Sequence, residues 1–529
     1  MPATALITSP AARPATPSAY LAAHEKFEQL ITRLRAPQSQ AMTHSELEQL
    51  IETEGREVLR HLLQAHLDER TPGAVTHTVR DAAGAAHTHQ RSQTRELESI
   101  FGSVRLTRTG YGGRGLSSLH PLDAALNLPP ERYSHTVRHR AAELAAVQSF
   151  DEVVAALTAQ TGAHVPKRQV EQLVSRAARD FDAFYAVERA ATLREARATS
   201  EILVITSDGK GVPMCKADLR AATRQAAATR TSRLAHRRSK GEKPGAKRLS
   251  TVAAVYTIAP FVRTPDQIIR ELRPAADGLP VARPRPEDKR VWASVEHPPE
   301  QVLWQAFEEA ARRDPKREKR WCALVDGNRF QLDLLKMAAP DYGVELTVVL
   351  DLIHVSEYLW QAAWALHEEG AAAAEQWVSE RLLEILRGHS SRVAAGLRRS
   401  ATLRRLSDKA RAPLDKCAAY LLKYRDYLRY DEYLAAGLPI ATGVIEGACR
   451  YLVKDRMEVT GARWRLSGAE AVLRLRSLRA SGDFAEYWEF HLAREYAREH
   501  ASRYDTGEVP LPQTPADRQR KGAHLRVVK

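Results

Sequence analysis

The chain has 529 residues, 44% hydrophobic and 27% charged, enough for about three ordinary domains, each with its own core. No apolar run approaches the ~20 residues that span a bilayer, so a membrane protein is not expected, and four widely separated cysteines, Cys215, Cys322, Cys417 and Cys449, argue against a disulfide scaffold and a CxxC zinc site. Lys and Arg number 79 against 65 Asp and Glu, a formal net charge of +14, which points to a polyanionic partner such as nucleic acid.

Residues 1–20 are small and Pro-dotted, without the apolar stretch of a signal peptide. A disordered tail is expected there, and with it a cytoplasmic, nucleoid-associated protein. Residues 21–195 predict a mainly helical region with one β-hairpin. Leu47, Leu50, Ile51, Val58, Leu62 and Leu63 recur at three- and four-residue steps behind Ser45, the expected N-cap. Over 94–110 the pattern changes to two strands about a turn near Gly102, with Val104 and Leu106 alternating. Residues 150–182 predict two helices about a turn containing Gly162. This is a candidate helix-turn-helix in which Lys167, Arg168 and Gln169, near the start of the second helix, read a major groove. An ordinary helical hairpin is the other reading.

Residues 196–355 change character. EILVITS (201–207) reads as a strand, Asp208-Gly209 as a turn signal, and Gly211–Cys215 as a returning strand. Between Arg220 and Arg248 stand ten Lys or Arg against one acid, Glu242. In this basic insert Arg233, Arg237, Arg238 and Lys240 are expected on DNA phosphates, supplying affinity rather than specificity. TVAAVYTIA (251–259) is the next strand, a Pro-rich connection leads to the helix EQVLWQAFEEAARRD, and WCALV, FQLDLLKMA and ELTVVL read as strand, helix and strand. The order β-β-β-α-β-α-β predicts a mixed sheet. Residues 356–440 read as an all-helical insertion with Trp360, Trp364, Trp377, Tyr420 and Tyr427 in its core. Residues 441–505 resume with a long helix from about Val444, and 506–529 read as a disordered basic tail.

Three acids fall at the ends or starts of these elements: Asp208 after the first strand, Asp326 after WCALV, and Glu446 in the first turn of the late helix. Carboxylates placed so on that element order form a ribonuclease-H-like arrangement. The expected fold is therefore multidomain α+β, with a ribonuclease-H-like α/β core carrying an all-helical insertion. Two-metal phosphoryl transfer needs carboxylates that converge on ions about 3.5–4 Å apart, and hard oxygen ligands select two Mg²⁺ ions, with Mn²⁺ as substitute.

Each acid also has a structural reading. Asp208-Gly209 suits a hairpin turn, Asp326 can cap the next helix, and Glu446 suits a helix N-terminus and pairing with Arg450. Asn328 with Gln331 already supplies a capping box after Asp326. Asp351 and His354, at i and i+3, read as an auxiliary metal pair or a DNA-contacting pair, with Asp351 competing with Asp326, or as a helix cap and its packing partner. In VIEGACRYLVKDRMEVTGARW, Glu446, Arg450 and Lys454 recur every four residues. On a regular helix they share a face, which sets Arg450 and Lys454 along DNA phosphates. Arg456 turns away, and Arg463 and Trp464 follow Gly461 on a loop, where Trp464 either stacks on a base or anchors the core. No G-x-S-x-G and no P-loop pattern occurs, so serine hydrolysis and nucleotide hydrolysis are not expected.

VITSDGKGV, RLSTVAAVYTIAPF, RPEDKRVWAS, CALVDGN, VVLDLIHVSEYLW and GLPIATGVIEGACRYLVKDRMEVTGARW together resemble a bacterial insertion-sequence transposase of the ISKra type, within the DDE superfamily. The resemblance runs over roughly residues 20–505. It implies Asp208, Asp326 and Glu446 as the catalytic, metal-binding acids. It further implies cleavage at element ends and strand transfer, with double-stranded DNA as terminal inverted repeats and as target, and a homo-oligomer on DNA. A DNA-binding regulator or domesticated element that has lost its chemistry is the alternative.

Overall fold

The computed structural model describes residues 19–188, 200–228, 246–272, 282–459 and 461–513. The chain forms two compact units, residues 1–177 with 488–529, and residues 178–487.

In the first unit, helices α1 (Leu21–Arg35) and α2 (His44–Arg70) precede the strand pair β1 (Val79–Arg80) and β2 (Ala86–His87). The N-cap of α2 is Thr43, not Ser45. Its hydroxyl accepts from Glu46 N at 3.4 Å while Glu46 Oε2 accepts from Thr43 N at 2.7 Å, the reciprocal satisfaction of two otherwise orphaned donors. The hairpin β3 (His89–Ser99) and β4 (Gly102–Gly112) is longer than its apolar pattern suggests. Leu97, Val104 and Leu106 pack with Leu67 of α2, Leu122 and Leu128. Helices α3 (His135–Ala145), α4 (Phe150–Gln160) and α5 (Lys167–Ala177) follow. Gly162, between the last two, has to be glycine: a Cβ there would meet the Phe101 carbonyl at 2.6 Å. The described residues after Tyr504 run to 513. Val509 packs on Val79, Tyr111, Leu119 and Tyr504, and Gln513 N donates to Ala74 O at 2.8 Å.

The second unit is built on a five-stranded sheet of β5 (Ile202–Pro213), β6 (Lys247–Ile258), β7 (Glu287–Ser294), β8 (Arg320–Val325) and β9 (Leu346–Leu350), in spatial order β7-β6-β5-β8-β9. β5 pairs antiparallel with β6 and β6 with β7, while β5–β8 and β8–β9 are parallel. The core strands are the ones whose sequences read apolar on both faces, as central strands must. Two sequence expectations change here. Asp208-Gly209 is no turn, because β5 runs unbroken through it, with Asp208 opposite Val252 and Gly209 opposite Thr251. Glycine is useful at 209 and 211 because Leu249 and Lys247 cross over them; added Cβ atoms would lie 3.0 and 2.9 Å from those side chains. The third strand is Glu287–Ser294, which the Pro-rich run before it concealed.

Helix α6 (Pro299–Arg313) connects β7 to β8 and α7 (Arg329–Asp341) connects β8 to β9. Then come α8 (Leu352–Ala363), α9 (Ala372–Leu386), α10 (Ser390–Leu403), α11 (Asp408–Lys423) and α12 (Tyr430–Ala435). Trp377 and Tyr420 are buried there, Trp360 and Tyr427 partly so, but Trp364 is 46% exposed. This layer holds the sheet by tyrosine hydroxyls: Tyr430 donates to Leu350 O at 2.8 Å and Tyr433 to Val348 O at 3.2 Å.

The expected long helix is interrupted. α13 (Gly443–Ala448) passes into a π-helical turn, Cys449–Lys454, and ends at Met457. A new helix, α14 (Leu466–Ser481), covers the edge strand β7. Glu470, Ser477 and Ser481 on one face of α14 accept from Val295 N at 2.9 Å, Ala293 N at 3.3 Å and Val291 N at 3.0 Å. Those donors would otherwise be left unpaired on an open edge.

Candidate functional site: a carboxylate cluster at the strand ends

Strand register brings the acids together. Thr206 of β5 stands level with Leu324 of β8, and Leu324 and Val325 stand level with Val349 and Leu350 of β9. Counting on from these pairs, Asp208, Asp326 and Asp351 occupy one level across three adjacent parallel strands. Neighbouring strands lie about 4.8 Å apart. Open α/β sheets bind ligands outside the carboxyl ends of their strands, and both β8 and β9 end here. Asp208 and Asp326 line one cavity together with Asn328 and Gln331.

The local bonds separate the acids by role. Asp326 Oδ1 accepts from Asn328 N at 2.9 Å, and Oδ2 meets no protein donor among the described residues. Asn328 caps α7, taking Phe330 N at 3.0 Å and Gln331 N at 3.4 Å. The reciprocal half of that capping box does not form. Gln331 Nε2 instead donates to Ser207 O at 2.9 Å, which ties the Asp326 turn to the strand bearing Asp208. Tyr420 and Tyr424 of the helical layer donate to Asp326 O at 3.3 Å and Gly327 O at 2.6 Å. Asp208 Oδ1 accepts from Gly209 N at 2.6 Å and Oδ2 from the Cys449 thiol at 3.3 Å.

Glu446 projects from the first turn of α13. Burial, then the negative charges of Asp351, Glu357 and Asp208, push its carboxyl above the usual range, against a hydrogen bond with Thr442. The same field bears on Cys449, one turn on, whose thiol is raised by burial and then by Asp208. The oxygens of Asp208, Asp326 and Glu446 do not all lie within 4.8 Å of one another.

Asp351 is different. It is 3% exposed. Oδ1 accepts from Ile353 N and Thr442 N, both at 3.2 Å, and Oδ2 from Thr442 Oγ1 at 2.7 Å. Its oxygens are taken up in capping α8 and holding the start of α13, which makes it a structural brace beside the open pair. His354 pairs with Glu357 at 3.3 Å and sets its ring edge-on to Tyr358; it lines a separate groove with Asp326. Asp351→Asn keeps one acceptor oxygen but loses the charge-assisted bond from Thr442. It is expected to cost about 2 kcal/mol, read as a lower unfolding midpoint in denaturant titration.

The other sequence-derived residues lie as follows. The π turn breaks the four-residue stacking of Glu446, Arg450 and Lys454, because its bonds run i to i+5. Arg450 and Lys454 are both exposed, Arg450 3.9 Å from Asp455. Arg463 is exposed, while Trp464 is 7% exposed with the Arg456 guanidinium 4.8 Å over its ring. In the first unit Lys167 is paired with Asp151 at 2.7 Å, Arg168 is exposed and Gln169 half-buried. Arg233, Arg237, Arg238 and Lys240 lie outside the described residues. Sequence reasoning missed Cys449, Glu357 and Gln331 at the site. The first two stand three residues after Glu446 and His354, a spacing that puts side chains on one helix face.

No family model and no curated protein matches the chain. Among solved structures it is similar to the Drosophila P element transposase strand transfer complex, with a TM-score of 0.23 and 11% identity, covering 75% of this chain and 93% of that chain. Among the described residues no helix is long and apolar enough to cross a membrane.

Proposed function

We propose that this chain is a DDE-type transposase with a ribonuclease-H-like core. It hydrolyses a phosphodiester at an element end and joins the freed 3′-hydroxyl to target DNA. The observation that carries the reading is the common level of Asp208 and Asp326 on adjacent parallel strands, with the Glu446 helix brought beside them. In hydrolysis the oxygen of water bonds to phosphorus and the P–O3′ bond breaks, leaving a 3′-hydroxyl and a 5′-phosphate. In joining, that 3′-oxygen attacks a target phosphorus and releases a new 3′-hydroxyl.

Asp208, Asp326 and Glu446 would hold Mg²⁺, or Mn²⁺ in its place. The fit rests on hard oxygen donors and on the undonated Oδ2 of Asp326. Divalent ions there supply charge neutralisation at phosphorus and activation of the attacking oxygen. The chain's own residues orient the acids: Asn328 and Gln331 fix the Asp326 turn, and Cys449 directs Asp208. Arg450, Lys454 and Arg463 are assigned to backbone phosphates, the 150–182 helices with Lys167, Arg168 and Gln169 to end recognition, and the 220–248 insert to non-specific affinity. A homo-oligomer assembles on the two element ends.

The test is nicking of duplex DNA that carries the sequences flanking the gene, with and without Mg²⁺. Cleavage confined to inverted repeats, lost with EDTA, supports the reading; specific binding without cleavage under any divalent ion supports a silent regulator instead.

The raised Glu446 carboxyl gives a second check. Its folded pKa exceeds the unfolded value, so the stability it contributes is complete below the unfolded pKa and is lost as pH rises through the folded one. The ionised cluster is therefore unfavourable at neutral pH, and a cation that neutralises it should raise the melting temperature more at pH 7 than at pH 4. Glu446→Gln should raise the melting temperature at pH 7 without Mg²⁺ and shrink the Mg²⁺-dependent increment. An increment equal at both pH values would remove Glu446 from the ion's surroundings.

A further inference from the structure

Asp326 borders two cavities. One it shares with Asp208. The other is a groove of about 360 Å³ lined by His354, Tyr358, Ala419, Tyr420, Lys423 and Tyr424. One helix face builds much of its wall. Lys416, Ala419, Tyr420 and Lys423 stand at i, i+3, i+4 and i+7 of α11, a spacing that sets side chains in one row. Ala419 is exposed, and its small side chain leaves open the space between two lysines.

The polar groups of the groove divide into those already engaged and those left over. Tyr420 and Tyr424 direct their hydroxyls to Asp326 O and Gly327 O, and His354 pairs with Glu357. Lys423 is exposed, and its ammonium donates to the Tyr424 hydroxyl at 2.7 Å, which leaves two of its three N–H donors. Lys416, also exposed, lies 5.2 Å from the centre of the Tyr358 ring. Among the described residues neither lysine pairs with a carboxylate. Tyr358 is half-buried and stacks on Tyr420 with ring centroids 4.0 Å apart. Its hydroxyl makes no hydrogen bond among the described residues. Burial, then Tyr424, Cys417 and Asp326, raise that hydroxyl above its usual range, so it is a donor at neutral pH.

An accessible ammonium beside a protonated hydroxyl suits an anionic oxygen, and a cationic groove walled by aromatic rings suits a nucleic-acid strand. The one carboxylate lining the groove is Asp326 itself. A strand with its scissile phosphate at Asp326 therefore has this groove beside it for the next nucleotide. We propose that the groove holds the strand being cut by the phosphate next to the scissile one, with Lys423 and Tyr358 as positioning residues that donate to its oxygens. The inference rests on the reading of Asp326 as a cleavage-site acid and adds where the strand runs.

The test measures binding of element-end duplexes to the full chain in EDTA, with each phosphate near the cut replaced in turn by an uncharged methylphosphonate. In the parent, one replacement adjacent to the cut should weaken binding about tenfold. In Lys423→Gln that replacement should have no further effect, while the other positions keep their parental penalties. Lys423→Arg should restore the dependence. Lys423→Gln should also flatten the slope of log affinity against log salt by about 0.9, the share of one phosphate. Ala419→Leu, at an exposed position, fills the groove and should remove the same dependence with an unchanged unfolding midpoint. A lysine that only braces Tyr424 would leave every methylphosphonate penalty in Lys423→Gln at its parental size, and that result overturns the proposal. A parent that nicks no duplex with any divalent ion defeats the carboxylate reading and this inference with it. A parent that nicks, but whose phosphate penalties do not involve Lys423, defeats this inference alone.

Discussion

Asp326→Asn protein is expected to bind element-end DNA as tightly as the parent and to cut it at less than about one thousandth of the parent rate. The substitution is nearly isosteric. Oδ1 remains to accept from Asn328 N, so the turn, the α7 cap and the Gln331 link to Ser207 stay in place. What is lost is the negative charge and the undonated oxygen, which becomes an amide nitrogen that repels a cation. Because the side chain is only half-buried, the melting temperature should hardly move. Asp351→Asn should do the reverse, lowering stability while leaving measurable cleavage per folded molecule, because its oxygens already serve Ile353 and Thr442. Nicking assays run beside fluorescence anisotropy on the same preparations separate the two. Parental cleavage by Asp326→Asn would remove this residue from the chemistry and leave Asp351 as the second acid.

The pair of variants also shows what the sequence can carry. Strand identity at β5 and β8 was legible because ILVITS and WCALV are apolar runs, the pattern of strands buried on both faces. The competition between Asp326 and Asp351 was not, because both end a strand of the same sheet. What distinguishes their surroundings is Thr442, 91 residues beyond Asp351, whose N–H and hydroxyl donate to that carboxylate. The Asp208-Gly209 turn signal was a local reading overridden by non-local pairing with Val252 and Thr251. β7 escaped notice because only three of its eight residues, Val291, Trp292 and Ala293, are apolar. Its edge is satisfied by serines and a glutamate on α14, a device that leaves no periodic trace. The helix bearing Glu446 was legible at its start, but its π turn, Cys449–Lys454, carries no Pro or Gly that would mark an interruption in the sequence.

Trp464→Ala is expected to cost about 3–5 kcal/mol and to leave DNA joining per folded molecule nearly unchanged. The indole lies where three segments meet. Trp464 N donates to Pro213 O at 3.1 Å and Cys215 N donates to Trp464 O at 2.8 Å, which continues the end of β5 by one bridge. Its Nε1 donates to Met457 O at 3.0 Å, at the end of the helical segment that begins with Glu446. The substitution leaves the backbone bonds and removes the burial, the Met457 bond and the face on which Arg456 rests. Trp464→Phe, which keeps a ring and loses the Nε1 donor, should cost about 1 kcal/mol for the lost hydrogen bond, plus whatever the smaller ring fails to fill. Because this ring braces the segment carrying one acid against the strand carrying another, a loosened site should appear as cleavage that recovers on cooling, in step with the folded fraction. An indole that instead stacks on DNA would give the opposite pair of results, an unchanged unfolding midpoint and joining slowed at every temperature.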